Sequence, residues 1–293
     1  MNPSKTYATS GAFRRALEDR LRRIGEIEQV DLNRLRRQVA FDRLLARLFQ
    51  SEAAPWALKG GYALELRLKT ARATVDIDLA LQSGVLPNTK AGEANQMLRE
   101  IIQKAASAPL EDWFGYSIGH AVMDLEAAPS GGARYPVEAR MDARIFARFH
   151  LDMGIGDPVM KPLETVEGRD WLQFAGIAAP PIRTIPREQQ FAEKLHAYTL
   201  PRSTPNSRVK DLIDLLLLIR SGKMAKERIA EAVRVTFEQR KTHPLPSVLT
   251  APPESWSKQF SELASECKTL EEMEEAFAKV QAYFRLMVSD WKK

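Results

Sequence analysis

The chain has 293 residues, 44% of them hydrophobic and 28% charged, with a formal net charge of +5 and one cysteine, Cys267. This is a globular composition, enough for one large domain or two ordinary ones, and it excludes a disordered or fibrous chain. A lone cysteine excludes an intramolecular disulfide and a cysteine-based zinc site, and it points to a reducing, cytoplasmic setting.

Residues 1–50 hold 11 Lys/Arg against 6 Asp/Glu, so the whole net charge comes from this stretch. Met1–Gly11 is polar and lacks the apolar core of a signal peptide. From Ala12 to Phe49 apolar residues recur at helical spacing (Leu17, Leu21, Ile24; Leu32, Leu35, Val39; Leu44, Leu45, Leu48). This predicts two helices broken near Gly25–Asp31. Arg34, Arg36, Arg37 and Arg43 cluster within three turns of the second helix. Such a basic face can track a phosphate backbone. The interleaved Glu18, Asp19, Glu26, Glu28 and Asp42 fit a merely solvated amphipathic face as well.

After Pro55 the texture changes. Trp56–Leu58 reads as short and extended, Gly60–Gly61 punctuates, and Tyr62–Leu68 reads as one to two turns of helix. Thr74–Gln82 alternates strictly: Val75, Ile77, Leu79 and Leu81 on one face, Thr74, Asp76, Asp78, Ala80 and Gln82 on the other. That is a half-buried strand. Glu93–Ala106 reads as a helix. Residues 139–153 alternate again, with Ala139, Met141, Ala143, Ile145, Ala147, Phe149, Leu151 and Met153 opposite Arg140, Asp142, Arg144, Phe146, Arg148, His150 and Asp152. Fifteen residues of period two predict a long strand, a bent one, or two joined tightly.

Pro180, Pro181 and Pro186 mark a boundary. Beyond it the periods are helical: Glu188–Tyr198, Lys210–Ile219, Met224–Arg240 and Leu270–Val288. The apolar run Leu212–Ile219 is broken by Asp214 and too short to cross a bilayer, so no membrane partner is expected. The last helix has a capping-box start at Thr269 and Glu272, and a core face of Leu270, Met273, Phe277, Val280, Phe284 and Met287. The expected organisation is basic N-terminal helices over 1–50, an α+β domain with a mixed sheet flanked by helices over 51–179, and a helical domain over 180–293.

Asp76 and Asp78, at i and i+2 on a strand, project from the same face with backbones about 7 Å apart, so both can reach one hard cation. A bare D-x-D pair is unspecific, since solvent-facing aspartates on an edge strand produce it too. Its context is not bare. Leu58-Lys59-Gly60-Gly61 lies upstream, where a glycine pair before a helix lets backbone amides approach a phosphate. Asp152, at the end of the second alternating segment, offers a third carboxylate, although an aspartate before Gly154 can also simply make a turn. Such a set suits two-metal phosphoryl or nucleotidyl transfer. His150 and His196 read as packed or surface residues.

Leu58-Lys59-Gly60-Gly61 and Arg72-Ala73-Thr74-Val75-Asp76-Ile77-Asp78 resemble the opening motifs of the AbiEii-type nucleotidyltransferase toxins of type IV toxin–antitoxin systems. The resemblance continues in Phe149-His150-Leu151-Asp152, Glu193-Lys194-Leu195-His196-Ala197 and Arg208-Val209-Lys210-Asp211-Leu212-Ile213-Asp214-Leu215, in the family's order. It implies a DNA polymerase β-like nucleotidyltransferase sheet with a helical domain. Asp76 and Asp78 would hold Mg²⁺, with Asp152 as third ligand or as base. Lys194 and Asp211 match further functional blocks, Lys194 reaching the triphosphate and Asp211 orienting Lys194 or Arg208. Lys59, Gly60, Gly61, Tyr62, Lys194 and Arg208 would line the nucleotide. The wider superfamily commonly has Gly-Ser where this chain has Gly60-Gly61, so backbone amides and Tyr62 take the serine's task. The implied activity is transfer of NMP from NTP to an RNA 3′ end, with tRNA foremost, inhibiting translation under the control of a cognate antitoxin. Transfer to a protein hydroxyl or a small molecule, and a non-catalytic RNA- or partner-binding module, stay open as alternatives.

Overall fold

A computed structural model describes residues 7–68, 71–82, 84–87, 90–125, 128–201 and 208–290; part of the polar N-terminal segment lies outside them. Two compact units divide the chain. The first comprises Met1–Tyr62, Ala73–Gly156 and Thr165–Thr184, and the second Ala63–Arg72, Asp157–Glu164 and Ile185–Lys293.

The first unit begins with α1 (Ser10–Glu28) and α2 (Leu32–Leu48). Thr9 caps α1 by accepting from the Ala12 amide (3.1 Å), and Asp31 caps α2 by accepting from the Arg34 amide (3.0 Å). These caps satisfy amides that the helices cannot, and they place the break where the loss of apolar period predicts it. Then come β1 (Trp56–Lys59), α3 (Gly60–Arg67), β2 (Asp76–Leu81), α4 (Ala91–Ala106), β3 (Gly115–Ile118), β4 (Met123–Asp124), β5 (Gly132–Met141) and β6 (Arg144–Ile155). The strands β7 (Glu164–Glu167) and β8 (Pro181–Thr184) follow. The sheet runs β3-β5-β6-β2-β1-β8-β7, with β4 paired to β5. It is mixed: β2 lies parallel to β6 and antiparallel to β1, and β1 lies parallel to β8.

The long alternating segment resolves into two strands joined tightly. Asp142 and Ala143 both have positive φ, 55° and 53°, as the two central residues of a type I′ hairpin turn require. Such a turn pairs Met141 with Arg144 and would put odd residues of one strand opposite even residues of the next. A one-residue register shift undoes this: Arg140 pairs with Ile145 but Ala139 with Ala147, leaving Phe146 as the extra residue of a bulge. The alternation therefore survives the turn. Ala139, Ala147, Phe149, Leu151 and Met153 share the buried face, where Phe41 of α2 meets Phe149 edge-on at 4.7 Å.

The strand expected over Thr74–Gln82 is shorter, and its ends correct the expectation. Val75, assigned to the core face, precedes β2 and is 55% exposed, while Ala80 on the other face is buried.

The basic N-terminal helices spend much of their charge inside the unit. Arg43 and Arg47 are buried around Asp112, with contacts of 2.7 Å from Arg43 Nε and 2.6 Å from Arg47 Nη2. Arg47 also donates to the carbonyls of Arg43 and Phe114, so the buried cations are hydrogen-bonded as such burial demands. Arg36 clamps Glu18 (2.7 Å), and Arg14 donates to the Met141 and Ile145 carbonyls beside the hairpin turn. Arg43 cannot belong to an exposed phosphate-tracking face.

The second unit is helical: α5 (Arg187–Thr199), α6 (Val209–Ser221), α7 (Lys226–Arg240), α8 (Ser257–Glu266) and α9 (Met273–Asp290). Its core gathers Phe191, Leu195, Leu212, Leu216, Val233 and Phe284. Helix α9 starts at Met273, not Leu270, and Leu270 is 97% exposed. The expected capping box does not form, because Thr269 instead donates to Glu271 and accepts from Arg220. Among the described residues, no helix is long and apolar enough to cross a membrane.

Asp42 on α2 is fully buried and accepts from the Tyr62 hydroxyl (2.5 Å), the Arg169 amide (2.8 Å) and the Trp171 indole (3.0 Å). Burial pushes its pKa up from 3.8 to about 6 against these hydrogen bonds. The folded state therefore favours protonated Asp42. This contribution is fully present below about pH 4 and is lost as pH rises through about 6, by up to about 3 kcal/mol. Urea unfolding of wild type and Asp42→Asn should show the stability difference shrinking by about that amount from pH 4 to pH 7. A difference that stays constant would refute the assignment.

Candidate active site

The site is built by strand register. Because β2 pairs in parallel with β6, Asp76 stands beside His150 and Asp78 beside Asp152. The antiparallel partners complete two cross-strand rows: Lys59, Asp78, Asp152 and Arg134 in one, and Asp76, His150 and Pro136 in the next. Cross-strand partners share a face, so these side chains lie together, opposite the buried Ile77, Leu79 and Leu151.

Arg134 on β5, absent from the sequence expectations, dominates the electrostatics. Its Nε donates to Asp152 Oδ1 (2.8 Å) and its Nη2 to Asp152 Oδ2 (2.8 Å), a side-on fork. The same Nη2 reaches Asp76 Oδ2 at 3.1 Å. The hydrogen bonds to Asp152, with the charges of Asp152, Asp76 and Asp78, hold the guanidinium well above its ordinary pKa. On the other side of Asp76, His150 Nδ1 lies 3.4 Å from Oδ1. A signal for Arg134 was present in the sequence. The alternation of 139–153 runs back through Val137, Tyr135 and Ala133, which puts Arg134 on the polar face.

Gly60 has a structural task at this face. Its φ is +65°, and a Cβ there would fall 2.0 Å from Asp78 Oδ2. Only glycine allows this backbone conformation and leaves that space to the carboxylate. The glycine pair opens α3 next to Asp78, so the close approach on Gly60's Cα is by a side chain of the protein itself. Tyr62, expected at the nucleotide, is placed elsewhere: it is 1% exposed, and its hydroxyl is engaged by Asp42.

Asp76 and Asp78 offer hard oxygen donors on a partly exposed face and fit a divalent cation. Both oxygens of Asp152 accept from Arg134. Among the described residues, no group of three or more His, Cys, Asp or Glu side chains stands together as a metal cage.

Lys194, Asp211 and Arg208 lie in the second unit with a further partner, Asp214. Lys194 Nζ is 3.1 Å from Asp211 Oδ1 and 2.7 Å from Asp214 Oδ2. Arg72 forks onto Asp214 (Nε–Oδ1 3.0 Å, Nη2–Oδ2 2.8 Å), and Arg208 meets Asp211 at 3.3 Å. Burial opposes charge on Lys194, but the carboxylates of Asp214 and Asp211 win and raise its pKa above the ordinary lysine range. Asp214 is likewise buried, yet Lys194 and Arg72 hold its carboxyl below the ordinary carboxylate value. The resemblance assigns a role to Asp211 and none to Asp214. In the fold Asp214 is the fully buried hub, and it joins two motif blocks, through Arg72 and Lys194. Cys267, also in this unit, is buried, and its thiol is pushed up to about 12. His196 is packed as expected: burial pushes its pKa down to about 3, and its Nε2 bonds the Thr242 hydroxyl at 2.9 Å.

Among solved structures, the chain is similar to the nucleotidyltransferase toxin MenT4 of Mycobacterium tuberculosis, with TM-score 0.54 and 17% identity over 88% of this chain and 92% of that one. It is also similar to JHP933 of Helicobacter pylori (TM-score 0.46, 16% identity, 88% of this chain and 93% of that one). At such identities the likeness to MenT4 shows the fold, a mixed sheet flanked by helices. No curated protein matches the sequence. Residues 43–285 match the family described as "Nucleotidyl transferase AbiEii toxin, Type IV TA system". The chain belongs to the AbiEii nucleotidyltransferase toxin family.

Proposed function

We propose that the protein is a cytoplasmic, Mg²⁺-dependent enzyme that transfers NMP from NTP to an RNA 3′ end, with tRNA as the acceptor, and so inhibits translation. The observation that carries this reading is the placement of Asp76 and Asp78 on one face of β2, in register with β6 and beside the start of α3. Asp76 and Asp78 would hold the cation. When bound it supplies charge to the phosphates and aligns the acceptor hydroxyl for in-line attack. The acceptor hydroxyl gives its proton to solvent, and its oxygen bonds to the α-phosphorus as the bond to the bridging oxygen breaks and pyrophosphate leaves. Lys59 pairs in register with Asp78, and the Gly60 and Gly61 amides open α3; both are suited to the triphosphate's negative charge. In the second unit, Lys194, kept charged by Asp214 and Asp211 and with Arg208 beside Asp211, is the cation that the family's motif order assigns to the nucleotide. A cognate antitoxin would restrain the activity.

Incubation with total RNA and each α-³²P-labelled NTP, with Mg²⁺ or EDTA, followed by a denaturing gel, tests the reading. Label in the tRNA band that disappears with EDTA is expected. Label on protein or in small molecules, or none, would reject the acceptor. Asp76→Asn and Asp78→Asn should each lower transfer by on the order of a hundredfold or more, with an unchanged circular dichroism spectrum. Wild-type rates in the double variant would remove the site.

Lys194→Ala costs stability because it strands Asp214, and the protein that stays folded by circular dichroism should bind nucleotide about tenfold more weakly with metal binding intact. Lys194→Arg should rescue it only in part, since a guanidinium matches the charge and not the shape. Calorimetric titration with a non-hydrolysable NTP reads both, and undiminished affinity in Lys194→Ala would assign that lysine a purely structural place.

A further inference from the structure

We propose that Arg134 is the resident counter-cation of the carboxylate face, anchored on Asp152 and in competition with the divalent cation for Asp76. On this account Asp152 is the anchor of Arg134 and not a metal ligand. The inference rests on the reading that Asp76 and Asp78 hold the cation.

The two contacts of Arg134 are unequal. Towards Asp152 it makes two parallel hydrogen bonds of 2.8 Å, and towards Asp76 a single one of 3.1 Å from the Nη2 already committed to Asp152. Bidentate guanidinium–carboxylate forks are the stronger and more directional kind. Register also favours the anchor, since Arg134 and Asp152 are direct cross-strand partners, whereas Asp76 belongs to the neighbouring row. Asp152 is the less exposed carboxylate, 13% against 22% for Asp76, so its pair is the better shielded from solvent.

A cation arriving at Asp76 meets the weaker of the two Arg134 contacts. Arg134 would keep its fork on Asp152 and give up only the Asp76 contact, which frees one guanidinium hydrogen for a nucleotide phosphate. Until a nucleotide brings its negative charges, the guanidinium repels the cation. Arg134 thus makes metal and nucleotide bind cooperatively: metal alone binds weakly, and metal with triphosphate binds well. No catalytic step is assigned to Arg134; it is a positioning residue.

Free Mn²⁺ measured by electron paramagnetic resonance, with and without a non-hydrolysable NTP, tests this on the full-length protein. Arg134→Gln should bind Mn²⁺ roughly three- to tenfold more tightly without nucleotide, the order expected on removing a unit charge beside a divalent ion at a partly exposed site. The tightening of Mn²⁺ by nucleotide should shrink by a similar factor. Arg134→Lys keeps the charge and should stay closer to wild type, and its solubility and spectrum check that position 134 tolerates change. Arg134→Gln/Asp152→Asn should bind Mn²⁺ less than about tenfold more weakly than Arg134→Gln alone, the order expected for one unit charge lost nearby without loss of a ligand. An Arg134→Gln protein no tighter than wild type would overturn the competition, and a tenfold or greater loss on adding Asp152→Asn would make Asp152 a ligand. Asp76→Asn separates the two readings: if it binds Mn²⁺ as well as wild type, the metal site itself is wrong, whatever Arg134 does.

Discussion

Three carboxylates on two adjacent strands repel one another unless something positive stands among them. Much of the first unit's local geometry serves that constraint. Parallel pairing of β2 with β6 brings Asp78 beside Asp152, and the outer partners of that row are Lys59 on one side and Arg134 on the other. The row reads plus, minus, minus, plus across four strands. A slip of one residue in either strand would turn its aspartates to the apolar face, where Phe41 and Phe149 pack. Burial of the apolar face therefore sets where the charges stand.

The devices that make this row possible lie at a distance from it. The Phe146 bulge restores the alternation that the Asp142–Ala143 turn would otherwise shift, and so keeps Arg134 and Asp152 on one face. Ser10 donates to Asp142 (3.0 Å) and Arg14 to the flanking carbonyls, which ties α1 to the turn. Arginines that look from the sequence like a nucleic-acid platform are in part struts of the fold. Charge counts along a chain cannot tell a strut from a docking face, because the difference lies in which carboxylate or carbonyl the fold brings within 3 Å.

The second unit repeats the principle with deeper burial. Lys194 and Arg72 share Asp214, which is wholly buried, and each is hydrogen-bonded to it. Removing one member of such a set strands the other charges away from water, at a cost of several kcal/mol. Two sequence blocks that are far apart in the chain, around Arg72 and around Asp214, are thereby held as one physical object. Their order along the chain was legible; their contact was not.

By itself the sequence determined many of the elements and their faces. Period two identified β2, β6 and the end of β5, period 3.6 identified the helices other than α8, and the aspartate spacing put Asp76 and Asp78 on one side, because these follow from local backbone geometry. It misplaced what depends on partners. Leu270 and Val75 fit the apolar periods but lie outside the helix and strand that those periods describe. Tyr62 stood next to the glycine pair yet went into the core, since Asp42, twenty residues earlier, offered its hydroxyl a buried acceptor. Arg134 became the neighbour of Asp152 only through hairpin register, and Asp214 became the hub of its cluster only through helix packing. Periodicity decides which way a side chain points, and the tertiary structure alone decides what it meets there.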